Sequence, residues 1–299
     1  MRLPLPTALL AVPLALLPAA VPGHASAGWQ PAAARAAAPR TLPAPVRPAP
    51  PALPLDGSTQ PPEYRYTGAG FDACSAPPAE ALYVWRSASP YGAVNIYTSG
   101  SQRGCQQPRL TPQWVSTVRA MGWKLVPTHV GLQAPCAQRD DKPLRIDPAR
   151  AEEQGGQEAG EAAQALQELG LGPGSPVYLD IESYPTGDAV CSAAVVDFTV
   201  GWTRTLWAAG YRSGFYSSMS SGIADIVAAA RAGRAPMPDA IWYARWDGRP
   251  TTDGQAGLPD DLWAAHRIHQ YRGSADETYG GVTLNIDRDQ LDGLVAADA

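Results

Sequence analysis

The stretch "PVYLDIES", Pro176 to Ser183, sets β-branched and aromatic residues around two acids, Asp180 and Glu182. It follows the breakers of "GPGS" and reads as a strand. Strand side chains alternate faces, so Asp180 and Glu182 point one way while Leu179 and Ile181 point the other. Two carboxylates aimed at one place from a buried strand suit the mouth of a barrel, where the C-terminal ends of several strands converge.

Outward from this strand, strand-like and helical runs alternate. "GAGFDAC" (Gly68 to Cys74) precedes "PPAEALYVWRSA", and "AVNIYTSG" (Ala93 to Gly100) precedes "TPQWVSTVRAMG", in which Thr111 has the position of an N-cap and Pro112 that of the first helical residue. "KLVPTHVG" (Lys124 to Gly131) leads into the Ala-rich "DPARAEEQGGQEAGEAAQALQELG", with Gly170 as its stop. After "PVYLDIES" comes the amphipathic "SAAVVDFTVGWTRTLWAAG", ended by Gly210. "YRSGFYSS" (Tyr211 to Ser218), "SSGIADIVAAARAG" and "AIWYARWD" (Ala240 to Asp247) extend the pattern. The last two strands, "RIHQYRG" (Arg267 to Gly273) and "VTLNIDRDQL" (Val282 to Leu291), lie too close together for a crossover helix. The order predicts an α/β fold, a TIM-like (β/α) barrel with a modified, partly antiparallel closing portion. An open doubly wound sheet would call for a Gly-rich phosphate loop after the first strand, and the sequence has none there.

The chain begins "MRLPLPTALLAVPLALLPAAVPGHASA", an apolar run with one Arg and a small-residue ending at Ala25-Ser26-Ala27, which predicts a secretory signal over residues 1–27. Pro13 and Pro18 interrupt it, which argues against a membrane anchor. Residues 28–63 are almost all Pro, Ala and Arg and read as an extended linker, leaving 64–299 as one folded domain, expected to act as a monomer. The predicted location is secreted, extracellular or associated with the cell wall, with no membrane contact once the signal is removed. All four cysteines, Cys74, Cys105, Cys136 and Cys191, fall after the signal, and an even count in an oxidising compartment predicts two disulfides. Each follows a different one of the first four strands. Of the three connectivities, Cys74 to Cys105 with Cys136 to Cys191 is favoured.

A formal net charge of −5 gives no basic footprint for nucleic acid, and it opposes general electrostatic adhesion to an anionic wall polymer. Affinity for such a polymer would have to be local. His129 and His269 belong to no metal-binding pattern, no GxSxG elbow is present, and neither metal nor cofactor is expected.

In barrel context Asp72 ends the first strand, Asp180 and Glu182 end the fourth, and Asp287 lies in the last. Like charges crowded at one mouth raise a carboxyl pKa, and a carboxyl that keeps its proton near neutral pH is a general acid. Glycoside hydrolysis uses such an acid with a second carboxylate. The competing arrangement is a charge network in which Glu182 pairs with Arg245 or Arg288. Trp and Tyr outnumber Phe, at 9 and 12 against 3, and rings with a polar edge suit stacking on sugars. Tyr97, Tyr216, Trp242, Tyr243, Trp246 and Tyr271 fall near strand ends as candidate sugar contacts.

"GFDAC", "YLDIES", "GFYSS", "AIWYARWDG", "HQY" and "NIDRDQLDG" together resemble the glycoside hydrolase-like domain of secreted actinobacterial proteins, a family of unknown function. More distantly they resemble the family 25 lysozymes, muramidases that cut the glycan strand of peptidoglycan. The resemblance runs from about Gly68 to Gly293. It implies Glu182 as proton donor, Asp180 as its partner, Asp72 and Asp287 as further catalytic acids, and a cell-wall carbohydrate polymer as ligand. It also marks "HQY", with Gln270, as part of the substrate cleft. Two departures stand out: Asp289 replaces a neutral residue, and His269 stands where the lysozymes have Trp. The alternative to an enzyme is a noncatalytic glycan-binding module that keeps the cleft.

Overall fold

A computed structural model describes residues 63–297. The predicted signal and nearly all of the predicted linker lie outside the described residues. Eight strands close into a barrel in sequence order: β1 (Arg65–Asp72), β2 (Ala93–Ser99), β3 (Lys124–His129), β4 (Pro176–Asp180), β5 (Arg212–Ser218), β6 (Ala240–Ala244), β7 (Arg267–Tyr279) and β8 (Val282–Leu294). Neighbours from β1 to β7 pair in parallel, whereas β8 runs antiparallel to both β7 and β1. Helices α1 (Ala79–Ala88), α2 (Pro112–Ala120), α3 (Ala151–Glu168), α4 (Ala189–Ala208) and α5 (Gly222–Arg231) follow the first five strands in turn. None of the helices among the described residues is long and apolar enough to cross a membrane.

Period-two alternation divides the apolar residues into two layers. Val177, Leu179, Phe215 and Ile241 turn outward with Ile181 and pack against helix residues such as Leu166, Phe198 and Trp202. Val126, Tyr178, Ala240, Trp242, Ile268 and Leu291 turn inward and fill the barrel. Local signals set the helix ends. The Thr111 side chain accepts from the Trp114 N–H at 3.1 Å, with Pro112 next to it, and Asp188 caps α4 by accepting from Val190 and Cys191. Helices α3 and α4 touch backbone to backbone, since a Cβ on Gly155 would stand 2.0 Å from the Phe198 carbonyl and one on Gly201 1.9 Å from that of Glu152.

Two predicted boundaries shift. Strand β4 ends at Asp180, so Glu182 sits one step beyond the sheet, where side-chain hydrogen bonds replace strand pairing. Strands β7 and β8 run well past the predicted bounds as a long hairpin turned at Gly280 and Gly281, both at positive φ (57° and 80°) that glycine adopts without strain.

Candidate active site

The C-terminal ends of the parallel strands and the oppositely running β8 surround one cleft of about 380 Å³. Asp72 comes from β1, Tyr97 from β2, Asp180 from β4 with Glu182 just beyond, Tyr216 from β5, Trp242 from β6, Gln270 from β7 and Asp287 from β8. Trp246, in the segment after β6, closes one side.

Gln270 is the hub of the floor. Its Nε2 donates to Asp72 Oδ2 at 3.0 Å and to Asp287 Oδ2 at 3.4 Å, while its Oε1 accepts from Tyr216 Oη at 3.1 Å and Trp246 Nε1 at 3.0 Å. Asp72 also shares a hydrogen bond with Asp289, which is 3% exposed and accepts from Trp242 Nε1 at 3.0 Å. Two carboxyl groups in hydrogen-bond contact hold a proton between them. Burial, then the charge of Asp287, pushes Asp72 up to about 8, and burial with the charge of Asp72 pushes Asp289 well above the carboxylate range. Asp287 is raised by burial too, though less, because the backbone N–H of Ser274 donates to it.

The opposite wall has different electrostatics. Asp180 is 4% exposed, and burial followed by repulsion from Glu182 pushes it up to about 7. Its Oδ1 is buried and makes no hydrogen bond within the protein. Both oxygens of Glu182 are occupied by cations: Lys142 Nζ meets Oε1, and Arg139 Nη1 donates to Oε2 at 2.9 Å. Lys142 Nζ also stands 3.9 Å from Asp180 Oδ2. The expected crowding of Glu182 by like charge alone is therefore corrected, because two cations lie against it. The competing charge network is corrected as well, in its partners: Arg288 pairs with Glu277, and Arg245 lies 3.6 Å from Asp247.

The predicted acids Asp72, Asp180, Glu182 and Asp287 come together at this cleft, as do Tyr97, Tyr216, Trp242, Trp246 and Gln270. Tyr243 and Tyr271 do not. Each adjoins an inward-facing residue, Trp242 or Gln270, and neighbours on a strand cannot share a face. Tyr243 is fully buried in the outer layer, where it stacks on His269 at 4.5 Å, and Tyr271 meets the same imidazole edge-on at 6.1 Å. His269 itself is buried between the carbonyls of Thr251 and Arg245, at 2.7 and 2.8 Å. The disulfides join Cys74 to Cys105 and Cys136 to Cys191.

Sequence reasoning missed the residues supplied by the long segment between β3 and α3. Besides Arg139 and Lys142 it contributes Gln133, whose Nε2 donates to the Asp180 carbonyl at 2.9 Å and whose Oε1 accepts from the Glu182 N–H at 2.8 Å. The length of the segment was the available signal, since a long connection without its own secondary structure is commonly functional. Asp289 was visible as a departure from the family pattern but not as a member of the acid cluster. Among the described residues no group of three or more His, Cys, Asp or Glu side chains could hold a metal ion.

Comparisons with known proteins agree with this architecture. The family profile described as "Rv2525c-like, glycoside hydrolase-like domain" matches residues 84–291. The crystal structure of the Tat-secreted protein Rv2525c of Mycobacterium tuberculosis, in complex with HEPES, superposes with a TM-score of 0.51 at 17% identity, covering 75% of this chain and 95% of that one. An uncharacterized B. stearothermophilus protein gives 0.48 at 18% identity, covering 76% and 99%, and a muramidase from Acremonium alcalophilum gives 0.44 at 18% identity, covering 75% and 93%. No curated protein matches the chain. With the profile spanning most of the chain and the barrel complete, this protein belongs to the Rv2525c-like, glycoside hydrolase-like domain family.

Proposed function

We propose that this protein acts on cell-wall glycan of the peptidoglycan type, cleaving it by acid-assisted hydrolysis in the barrel cleft. The observation that carries this reading is the contrast between two neighbouring carboxyl groups, Asp180 raised to about 7 and Glu182 with both oxygens held by cations. Glycoside hydrolysis needs one carboxyl that bears a proton and one that stays ionised. Asp180 suits the first role and Glu182 the second, which exchanges the roles implied by the sequence motif. Asp72 and Asp287 form the facing acidic wall, and the rings of Tyr97, Tyr216, Trp242 and Trp246 supply surface for sugar.

The same ion pairs favour a second reading, a noncatalytic wall-binding module in which Glu182 is a fixed structural charge. Incubating purified peptidoglycan with wild type, Asp180→Asn and Glu182→Gln, and scoring released sugar separately from pull-down, decides between them. Turnover by wild type that is lost in Asp180→Asn while pull-down persists supports hydrolysis. Pull-down without turnover by wild type assigns the module, and neither pull-down nor turnover rejects both.

Export is part of the proposal, with residues 1–27 as signal, 28–63 as linker, and the mature protein in or near the cell wall. The two disulfides support it, because such bonds persist in oxidising compartments. The structural neighbour Rv2525c is itself described as Tat-secreted. Mass spectrometry of secreted protein should find Gly28 as the first residue, and an intact Met1 there would count against it.

A further inference from the structure

Beyond Glu182 the acidic cleft opens into a second groove of about 680 Å³, reached past Arg139, Tyr216 and Trp246. The one acid along it is Glu182, held by Lys142 and by Arg139, which is itself also paired with Asp141 at 2.8 Å, and the remaining cation is Arg245 with a 39% exposed side chain. Arg245 is steadied at its edges, with Nη1 donating to the Ala256 carbonyl at 3.3 Å and Nε 3.6 Å from Asp247. The hydroxyls of Ser218 and Ser220, 3.1 Å apart, line the wall near it.

Trp246 lies at the junction of the two spaces. The residue is 67% exposed, an unusual position for so large a side chain, and its ring is nonetheless fixed: Nε1 donates to Gln270 at 3.0 Å, and the ring packs so closely on Gly273 that a Cβ there would come within 2.4 Å of it. A rigid, exposed indole beside a groove is a platform for the face of a sugar ring. A neutral glycan would leave the Arg245 guanidinium beside that platform without use, whereas a guanidinium fork matches a carboxylate or phosphate. The overall charge of −5 supplies no general attraction for an acidic polymer, so the attraction has to come from cations placed at the site.

We infer that the second groove binds an acidic sugar unit of the glycan, with its ring on Trp246 and its oxyanion substituent, a carboxylate or a phosphate, held by Arg245. This rests on the glycan-acting function proposed above and names its substrate class: an anionic glycan, whose charged unit occupies the position next to the acidic cleft.

The test compares three soluble probes by calorimetry: a peptidoglycan fragment with free carboxyl groups, the same fragment converted to carboxamides, and a phosphodiester-linked wall-polymer fragment. The expected result is that an oxyanion-bearing probe binds about tenfold or more tighter than the carboxamide, and that Arg245→Gln removes this preference while leaving carboxamide affinity unchanged. Whichever charged probe binds tighter identifies the oxyanion. Arg245 is surface-exposed, so Arg245→Gln should melt with wild type, and a melting curve run alongside checks this. Equal affinity for charged and carboxamide probes, or a preference that survives Arg245→Gln, overturns the inference and leaves the glycan reading standing. Binding of none of the probes overturns both.

Discussion

Lys142 is ion-paired with Glu182, and the same ammonium stands 3.9 Å from Asp180. One cation thus serves two carboxyl groups of which only Glu182 is in direct contact. Replacing Glu182 by Gln takes away the direct partner of the buried Lys142, while Arg139 keeps its pair with Asp141 at 2.8 Å. The variant should lose about 3 kcal/mol in chemical denaturation at pH 7, the low end for breaking a buried pair, because Glu182 keeps some exposure. An unchanged or raised stability would show that the ion pairs contribute nothing net.

Asp180→Asn should act in the opposite direction, and only at higher pH. The folded protein holds the Asp180 proton up to about pH 7, by burial first and the Glu182 charge second, while the unfolded chain releases it near ~4. Between these values wild type loses stability as pH rises, because ionisation favours the unfolded chain. Asn removes that penalty. Unfolding free energies from urea titration should nearly coincide at pH 4 and differ at pH 8 by about 2 to 4 kcal/mol in favour of the variant.

Gln133→Met keeps the volume of the side chain and removes its bonds to the Asp180 carbonyl and the Glu182 N–H. Gln133 is fully buried, so both backbone groups are left without partners in a dry site, at a cost of about 2 to 3 kcal/mol. Hydrogen exchange should speed up first at the Glu182 amide, and slow exchange there would argue against this role for the glutamine.

The Cys136–Cys191 bond spans 55 residues and anchors the segment carrying Arg139 and Lys142. Changing both cysteines to Ala should cost about 4 kcal/mol by loop entropy. Glycan pull-down should fall as well, since the cations opposite Glu182 are no longer pinned.

Trp246→Ala and Tyr243→Phe separate cleft from core. The first should abolish glycan binding with about 1 kcal/mol change in stability, from the lost hydrogen bond to Gln270. The second removes the hydroxyl that donates to Thr251 and Thr252 carbonyls at 3.2 and 3.3 Å, and should cost about 1 kcal/mol with binding intact. A binding loss in Tyr243→Phe would return that residue to the cleft.

The barrel was legible because its strands and helices announce themselves by period and punctuation, as with Thr111-Pro112 before α2 or Gly170 after α3. Asp180 and Glu182 followed from strand alternation, and Asp72 and Asp287 from their places in the first and last strands. What stayed hidden depends on contacts far apart in sequence. "QRDDKP" reads as a solvated charged turn, and nothing local shows that Lys142 folds inward to 7% exposure against Glu182. Trp242 with Tyr243, and Gln270 with Tyr271, are strand neighbours, so alternation lets only one of each pair face the cleft. The extra length of the final hairpin was also available in "TYGGVT", a two-glycine turn between β-forming residues.

The pairing of β1 with β8, from Arg65 opposite Leu294 to Asp72 opposite Asp287, sets a time order on folding. The ring cannot shut until β8 is available, since the first strand waits for the eighth. Until then both β1 and β7 present an open row of backbone donors and acceptors, the kind of edge at which chains stick to one another. A chain cut short before β8 would keep most of its core residues and all of its helices, yet would be left with two such edges and half of its acidic wall missing. Deletions that remove β8 should therefore appear first as aggregation during production rather than as weakened binding.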